Sequence, residues 1–207
     1  MRQRSNILKL RERLKSFHKK ANIGVLGILN VTPDSFFDGG QSFSVEQAIA
    51  KGLTLKNEGA EIIDLGGQSS RPGAKSVGAK EEWARIEPVL QGILERDPTT
   101  LISIDTYRSE VAYKAIHAGA AMINDISAGS LDPELFNVVA EADVPYVLMH
   151  MRGRPENMQN NLEYDDVVRE VFDFFLQKTE ELSGLGIKDV ILDPGFGFGK
   201  STADNYA

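Results

Sequence analysis

The chain has 207 residues and no cysteine; its net charge is −7, with 42% apolar and 26% charged residues. That length supports one substantial domain with a sizeable core, and the composition is that of an ordinary globular protein. The lack of cysteine excludes a disulfide framework and a thiolate metal site, and fits a cytoplasmic enzyme. Charge is uneven: residues 1–20 hold eight Lys/Arg against one Glu, leaving 15 basic and 29 acidic residues elsewhere. So acidic a body argues against nucleic acid as a partner. No apolar run approaches a membrane span and no secretory signal pattern is present, so no membrane partner is expected.

In chain order, the basic head (1–22) carries Ile7, Leu10, Leu14 and Phe17 at helical spacing. This reads as an amphipathic helix packed on the bottom or edge of the domain, with a transit peptide or a membrane-surface helix as alternatives. The pattern then predicts a strand at 24–30, a long loop at 31–42 and a helix at 44–58. That helix is opened by Ser44 with Gln47 at the capping-box position and ended by Gly59. A strand at 61–65 leads to a Gly/Ser/Pro-rich loop at 66–79 and a helix at 80–96 with Trp83, Ile86 and Leu90 on one face. Next come a strand at 101–104, a helix at 107–118, a strand at 121–125, a short helix at 132–142 and a strand at 145–149. A loop at 150–163, a long helix at 164–183 and a strand at 189–192 complete the order. Residues 23–207 thus read as one domain.

Six apolar runs each end in a carboxylate, a carboxamide or an imidazole: Asn30, Asp64, Asp105, Asn124–Asp125, His150 and Asp193. A strand buried on both faces is a continuous apolar run, so a polar residue belongs where the strand leaves the core. Alternating strands and helices give parallel strands whose C-terminal ends share one rim. The expected fold is therefore α/β, a (β/α)8 TIM barrel with about the first six βα units present. A closed barrel needs eight units and typically about 250 residues, and an open six-stranded version would leave two bare edges. The chain is accordingly expected to be C-terminally incomplete.

The loop from Asn30 to Gly40 offers Asn30, Thr32, Asp34, Ser35 and Asp38 as oxygen ligands. These suit a hard cation such as Mg2+, held by few protein groups plus substrate phosphate; the alternative is an ordinary turn. In the loop from Gly66 to Ala74, Ser69, Ser70 and backbone amides can cradle an anion, and Arg71 can grip phosphate or carboxylate. Asp105, Asn124 and Asp193 close three strands. A buried carboxylate is costly without a partner, and a ring with adjacent N–H donors, such as a 2-amino-4-oxo pyrimidine, supplies one. Asn accepts and donates at once, which suits the rest of such a ring. Taken singly, each carboxylate also reads as a cap for the next helix, Asp105 above all. The segment Asp193 to Ser201 imitates a phosphate-binding loop but has Pro194 where the first glycine is required. It reads instead as a substrate loop with Phe196 or Phe198 against a ring. His150 reads as a strand-end histidine, with a base or phosphate contact as the alternative.

Together the segments GILNVTPDSFFDGG, IIDLGGQSSRPGA, SIDTYRSEVA, INDISAG, LMHMRG and LDPGFGFGK resemble dihydropteroate synthase of folate biosynthesis. The resemblance covers roughly residues 23–207. It implies a (β/α)8 barrel and a transferase, the sulfonamide target. The enzyme condenses 4-aminobenzoate with (7,8-dihydropterin-6-yl)methyl diphosphate, giving 7,8-dihydropteroate and diphosphate. By motif position, Asp105, Asn124 and Asp193 match the pterin-ring partners, with Met149 packing nearby. Asn30 matches the ligand of a diphosphate-bound Mg2+. Phe36 and Asp38 match a first substrate loop; Ser69, Ser70, Arg71 and Pro72 match a second. Asp105, Asn124, Asp193, Asp38 and Arg71 are thereby implied in catalysis. Gln68 stands where the family usually has Glu and Ser70 where it usually has Thr. The family's Ser-Arg-Lys on a seventh strand and Arg-x-His on an eighth have no counterpart in these residues. Members are usually dimers, so a homodimer is implied for a full-length protein. The rival readings are a methyltetrahydrofolate-dependent methyltransferase and a non-catalytic pterin-binding remnant.

Overall fold

The computed structural model describes residues 2–20, 23–32, 44–69, 76–153 and 162–207. The elements are α1 (Arg2–Lys20), β1 (Leu26–Asn30), α2 (Val45–Asn57), β2 (Ile62–Gly66), α3 (Ala79–Arg96), β3 (Leu101–Asp105) and α4 (Ser109–Ala118). They continue with β4 (Met122–Asp125), α5 (Glu134–Ala142), β5 (Tyr146–Met149), α6 (Val167–Gly184), β6 (Val190–Asp193) and α7 (Thr202–Asn205). The strands form one sheet in the order β1-β2-β3-β4-β5-β6, and every neighbouring pair is parallel. These are six consecutive βα units of a (β/α)8 barrel, so all six C-terminal strand ends lie on one rim.

Local chemistry accounts for the element ends. Ser44 accepts a hydrogen bond from the Gln47 backbone N–H while the Gln47 side chain accepts from the Ser44 N–H, closing the capping box that opens α2. Gly59 and Gly119 take the left-handed conformation that stops α2 and α4. β2 runs farther than expected, because Gly66 is its last residue and pairs with both Asn30 and Asp105. Two adjacent glycines look like the start of a loop, yet the first of them is still in the ladder.

Side-chain alternation divides the strands between two cores. Leu29, Ile63, Leu65, Ile102, Ile104, Ile123 and Leu148 face outward and pack on Ile86, Leu90, Ile93, Ile116 and Val139 of the helices. Ile62, Leu101, Met122 and Val147 face the barrel axis, where they meet Leu10 and Leu14 of α1. The N-terminal helix thus floors the barrel at the end opposite the rim. Arg11 ties it there, its Nε donating to Asp189 at 2.6 Å and its Nη1 to Asp143 at 2.9 Å. No helix among the described residues is long and apolar enough to cross a membrane.

Leu10 is fully buried, whereas Leu8 on the opposite face of α1 is 60% exposed. Leu10→Ala is expected to cost about 2–4 kcal/mol in urea unfolding, and Leu8→Ala less than about 0.5 kcal/mol. Equal effects would contradict the floor assignment.

Candidate functional site

Strand register brings the polar ends together. Asn30, Gly66, Asp105 and Asn124 occupy one row across β1 to β4. Val147 continues that row on β5, and two residues beyond it Met149 pairs with Asp193 on β6. Because alternate residues of a strand share a face, Asn30, Asp105, Asn124, Met149 and Asp193 all belong to the inward face at the C-terminal mouth. Asp125, the neighbour of Asn124, points outward. Its carboxylate accepts from the Ser127 and Gly129 amides and the Tyr146 hydroxyl at 2.7–2.8 Å, which holds the turn after β4.

Gly66 keeps this mouth open. A Cβ there would lie 2.8 Å from Asn30 Oδ1 and 3.2 Å from Asp105 Oδ2. The two oxygens therefore converge on the space that a side chain would fill. No group of three or more His, Cys, Asp or Glu residues among those described is arranged to hold a metal ion. The donor set near Asn30, one amide oxygen beside a carboxylate, fits a Mg2+ held mainly by substrate oxygens and water rather than a protein cage.

Asp64 is a functional candidate that the sequence reading passed over. It lies two residues below Gly66 on β2, facing Ser103 in the register, and is buried. Asn124 Nδ2 donates to Asp64 Oδ2 at 2.9 Å. Asp64 Oδ1 and Asn124 Oδ1 are both buried with no partner among the described residues. Burial raises the Asp64 carboxyl above its ordinary value, an effect eased by Ser103 and Asn124. Asp105 is pushed up further, first by burial and then by the negative charges of Asp64, Glu82 and Asp125. Asp105 also caps no helix, since α4 starts without a side-chain cap and its first N–H donates to Asp132. A carboxylate without a structural partner, beside other acids, is the signature of a site.

Asp193 is held by the loop that follows it. Its Oδ1 accepts from the Gly195 N–H at 2.8 Å, and its backbone oxygen accepts from the His150 N–H at 2.9 Å. Lys200 is buried and donates to the carbonyls of His150, Gly195 and Phe198 at 3.2–3.3 Å. It pegs the 195–198 turn, and burial lowers it to about 8. A Cβ at Gly195 would stand 2.0 Å from the His150 oxygen, so only glycine permits this approach. Phe198 is half-buried in this turn, while Phe196 is exposed and stacks edge-on with Tyr206. His150 does not join the mouth: it packs against Phe174, its Nδ1 is unpartnered, and burial lowers it to about 4, so it is neutral. Its position off the inward face, rather than its charge state, argues against the base or phosphate contact considered for it.

The second loop is anchored at both ends. Arg108 donates to the buried Glu82, to Gln68 at 3.0 Å and to Ser76 at 2.9 Å, and Gln68 donates to the Tyr107 hydroxyl at 3.0 Å. Ser69 lines a small cleft with Gln68, Glu82, Asp105 and Thr106. Phe36, Asp38, Ser70, Arg71 and Pro72 lie outside the described residues.

The family profile described as "Pterin binding enzyme" matches residues 26–207. The chain belongs to the pterin binding enzymes. Among similar curated proteins, the mitochondrial folate synthesis bifunctional protein of Pisum sativum is 48% identical over 189 residues, covering 88% of this chain and 37% of that protein. Dihydropteroate synthase of Escherichia coli K12 is 44% identical over 185 residues, covering 88% of this chain and 65% of that enzyme. Among solved structures, Xanthomonas albilineans dihydropteroate synthase with 4-aminobenzoic acid has a TM-score of 0.80 and 46% identity, covering 88% of this chain and 65% of that one. This pterin binding enzyme chain thus spans less than two thirds of the length of these relatives.

Crowded acids destabilise the fold that carries them. Asp105→Asn is expected to stabilise the protein at pH 7 by about 1 kcal/mol. The folded-state value of Asp105 is raised, so the penalty exists above that value and fades as pH falls through it, when the wild-type group takes up a proton. Chemical unfolding at pH 7 and pH 4 checks this; a gain unchanged by pH, or a loss, would refute it.

Proposed function

We propose that this chain carries the pterin-binding part of a dihydropteroate synthase, condensing 4-aminobenzoate with (7,8-dihydropterin-6-yl)methyl diphosphate to release dihydropteroate and diphosphate. The observation that carries the reading is the inward row of Asp105 and Asn124 with Asp193 one step beyond, at the rim of a parallel barrel. The similarity to a synthase structure that holds 4-aminobenzoic acid supports it.

The chemistry follows from charge. A flat heterocycle rich in N–H groups satisfies the uncompensated carboxylates, which replace its water with fixed acceptors. Departure of diphosphate leaves positive charge on the pterin methylene, delocalised into the ring. Asp105 and Asp193 favour that charge because their carboxyl groups are fixed in place before it develops. Asn30 would hold a Mg2+ through its side-chain oxygen, and that ion would supply charge neutralisation for the leaving group. The arylamine then attacks the methylene carbon, a C–N bond replaces the C–O bond, and the amine proton passes to solvent. No protein nucleophile is needed. By motif, Met149 packs beside the ring, and Phe36, Asp38, Ser69, Ser70, Arg71 and Pro72 close over 4-aminobenzoate and diphosphate; Phe198 is the ring contact read from its own loop. Asp38 and Arg71 lie outside the described residues, so their roles rest on the motif alone. The absence of cysteine favours a cytoplasmic setting, and a homodimer is the expected assembly of a full-length protein.

The direct test incubates the protein with pterin diphosphate, Mg2+ and 4-aminobenzoate and looks for dihydropteroate. Methyl transfer from methyltetrahydrofolate without that product would overturn the reading; pterin binding with no turnover at high enzyme would reduce it to a binding module. Asp193→Asn is expected to weaken pterin binding by about 1.5–3 kcal/mol, the range for a hydrogen bond to a charged group, or roughly tenfold to a hundredfold. Unchanged calorimetric affinity would remove Asp193 from the site.

A further inference from the structure

We propose that Lys200 is a positioning residue of the mouth: its ammonium stands where a bound cation would, clamping the loop after β6 onto the end of β5 and thereby aiming the Asp193 carboxylate. The inference rests on the pterin reading above, and Lys200 acts in it through Asp193 rather than on the ligand.

An ammonium has three donors and no acceptor. Lys200 Nζ donates to the carbonyls of His150, Gly195 and Phe198, at 3.3, 3.2 and 3.2 Å. Each donor has one oxygen, so none is left over for a phosphate. The residue is only 6% exposed. Convergent carbonyl oxygens form a cage for a cation, and here the chain fills its own. A neutral, apolar side chain in its place would leave three carbonyls converging without a donor, which is costly.

The seam closed by this ammonium is tight. A Cβ on Gly195 would stand 2.0 Å from the His150 oxygen, and one on Gly199 would stand 2.7 Å from the Arg152 oxygen. The far end of the loop has other ties. Tyr164 donates its hydroxyl to the Gly199 carbonyl at 2.9 Å, and Asn205 Oδ1 accepts from the Gly197 N–H at 2.7 Å. Lys200 holds the near end from within.

Gly195 carries the effect to the rim. Its carbonyl accepts from Lys200, and its N–H donates to Asp193 Oδ1 at 2.8 Å. The two groups are set by the dihedrals of one residue, held at a φ of 68° that glycine takes without strain. Releasing the carbonyl therefore frees the amide, and the Asp193 carboxylate loses the donor that orients it. Phe198, whose carbonyl is the third acceptor, moves with the same turn.

The charged groups around Lys200 are Asp193 and Asp204 on its own side of the seam, and His150 and Arg152 across it. His150 is neutral, and Arg152 is turned to the Glu163 carbonyl and the Glu170 carboxylate. The two acids favour the ammonium, but burial is the larger effect and lowers it to about 8. The clamp is thus complete at pH 7. It weakens as the pH rises through about 8, when the amine has lost its charge and one donor.

The experiment titrates wild type, Lys200→Met and Lys200→Ala with 6-hydroxymethyl-7,8-dihydropterin by calorimetry at pH 7 and pH 9. Lys200→Met is expected to bind about tenfold more weakly at pH 7. Wild-type affinity is expected to fall toward that of the variant at pH 9. Titration of the ring itself is common to both proteins, so the difference in slope belongs to Lys200. Propylammonium is expected to restore most of the affinity lost in Lys200→Ala, by refilling the cage; propanol, similar in size but uncharged, is not. A folded Lys200→Met with wild-type affinity overturns the inference. So does a loss that shows neither the difference in slope nor rescue by propylammonium, since packing alone then explains it. Should the variants fail to fold, a lysine 13Cε titration of the wild type decides. A site favoured by the ammonium requires the bound ring to raise the Lys200 value from about 8, and a value unmoved by the ring overturns the role. A wild type that binds no pterin removes the pterin reading and this role with it, whereas binding indifferent to Lys200 removes the role alone.

Discussion

Negative charge gathered in a half-dry mouth is the constraint on which the rest of this molecule depends. Parallel strands with short crossovers force every strand to end on one rim, and four of those ends, Asn30, Asp105, Asn124 and Asp193, carry inward acidic or amide side chains. Asp64 and Asp105 are both raised by burial, and Asp64 adds its charge to Asp105. Among the described residues no Lys or Arg forms an ion pair with Asp105. Arg108, the nearest in sequence, is committed to Glu82, Gln68, Ser76 and the Val77 carbonyl. In the proposed reaction, a ligand with N–H donors and developing positive charge would supply what the barrel withholds.

The scaffold around the mouth is organised to keep that strain local. Outward-facing strand residues pack on the helices, and α1 closes the opposite end with Leu10 and Leu14 against the axial residues. Two rim loops are fixed by cations that satisfy the protein's own oxygens. Lys200 serves three carbonyls of the β5 and β6 loops, and Arg108 holds both described ends of the loop after β2. Such internal cations rigidify the frame without competing for the anionic leaving group of the proposed reaction.

Most of the fold was legible because its periodicity is unambiguous. LISID and YVLM are short, apolar and bounded by turn residues, and Ser44 with Gln47 announces a helix start that the coordinates reproduce. The rim residues were legible for the same reason: a polar side chain after an apolar run marks where a buried strand surfaces. Asp64 was not legible as part of the site. The Gly-Gly that follows it mimics a loop, so it reads as a strand end, whereas β2 continues to Gly66 and leaves Asp64 inside the barrel. Only register reveals that it lies beneath Asn124. Lys200 misleads in another way, since its Gly-rich setting resembles an anion-binding loop while its ammonium is turned inward onto carbonyls. The expected roles of Phe36, Asp38, Ser70, Arg71 and Pro72 depend on loop geometry, which no periodic signal encodes.

The central claim concerns charge, and a charge measurement tests it most directly. A carboxyl-carbon NMR titration of Asp105, with the Asp105→Asn protein for assignment, reads the group itself with and without a bound dihydropterin. In the free protein the carboxyl should titrate above the ordinary carboxylate range, and on binding it should move downward, because N–H donors stabilise the anion. An ordinary value in the free protein, or one unmoved by the ring, would contradict a mouth held in electrostatic readiness for its ligand.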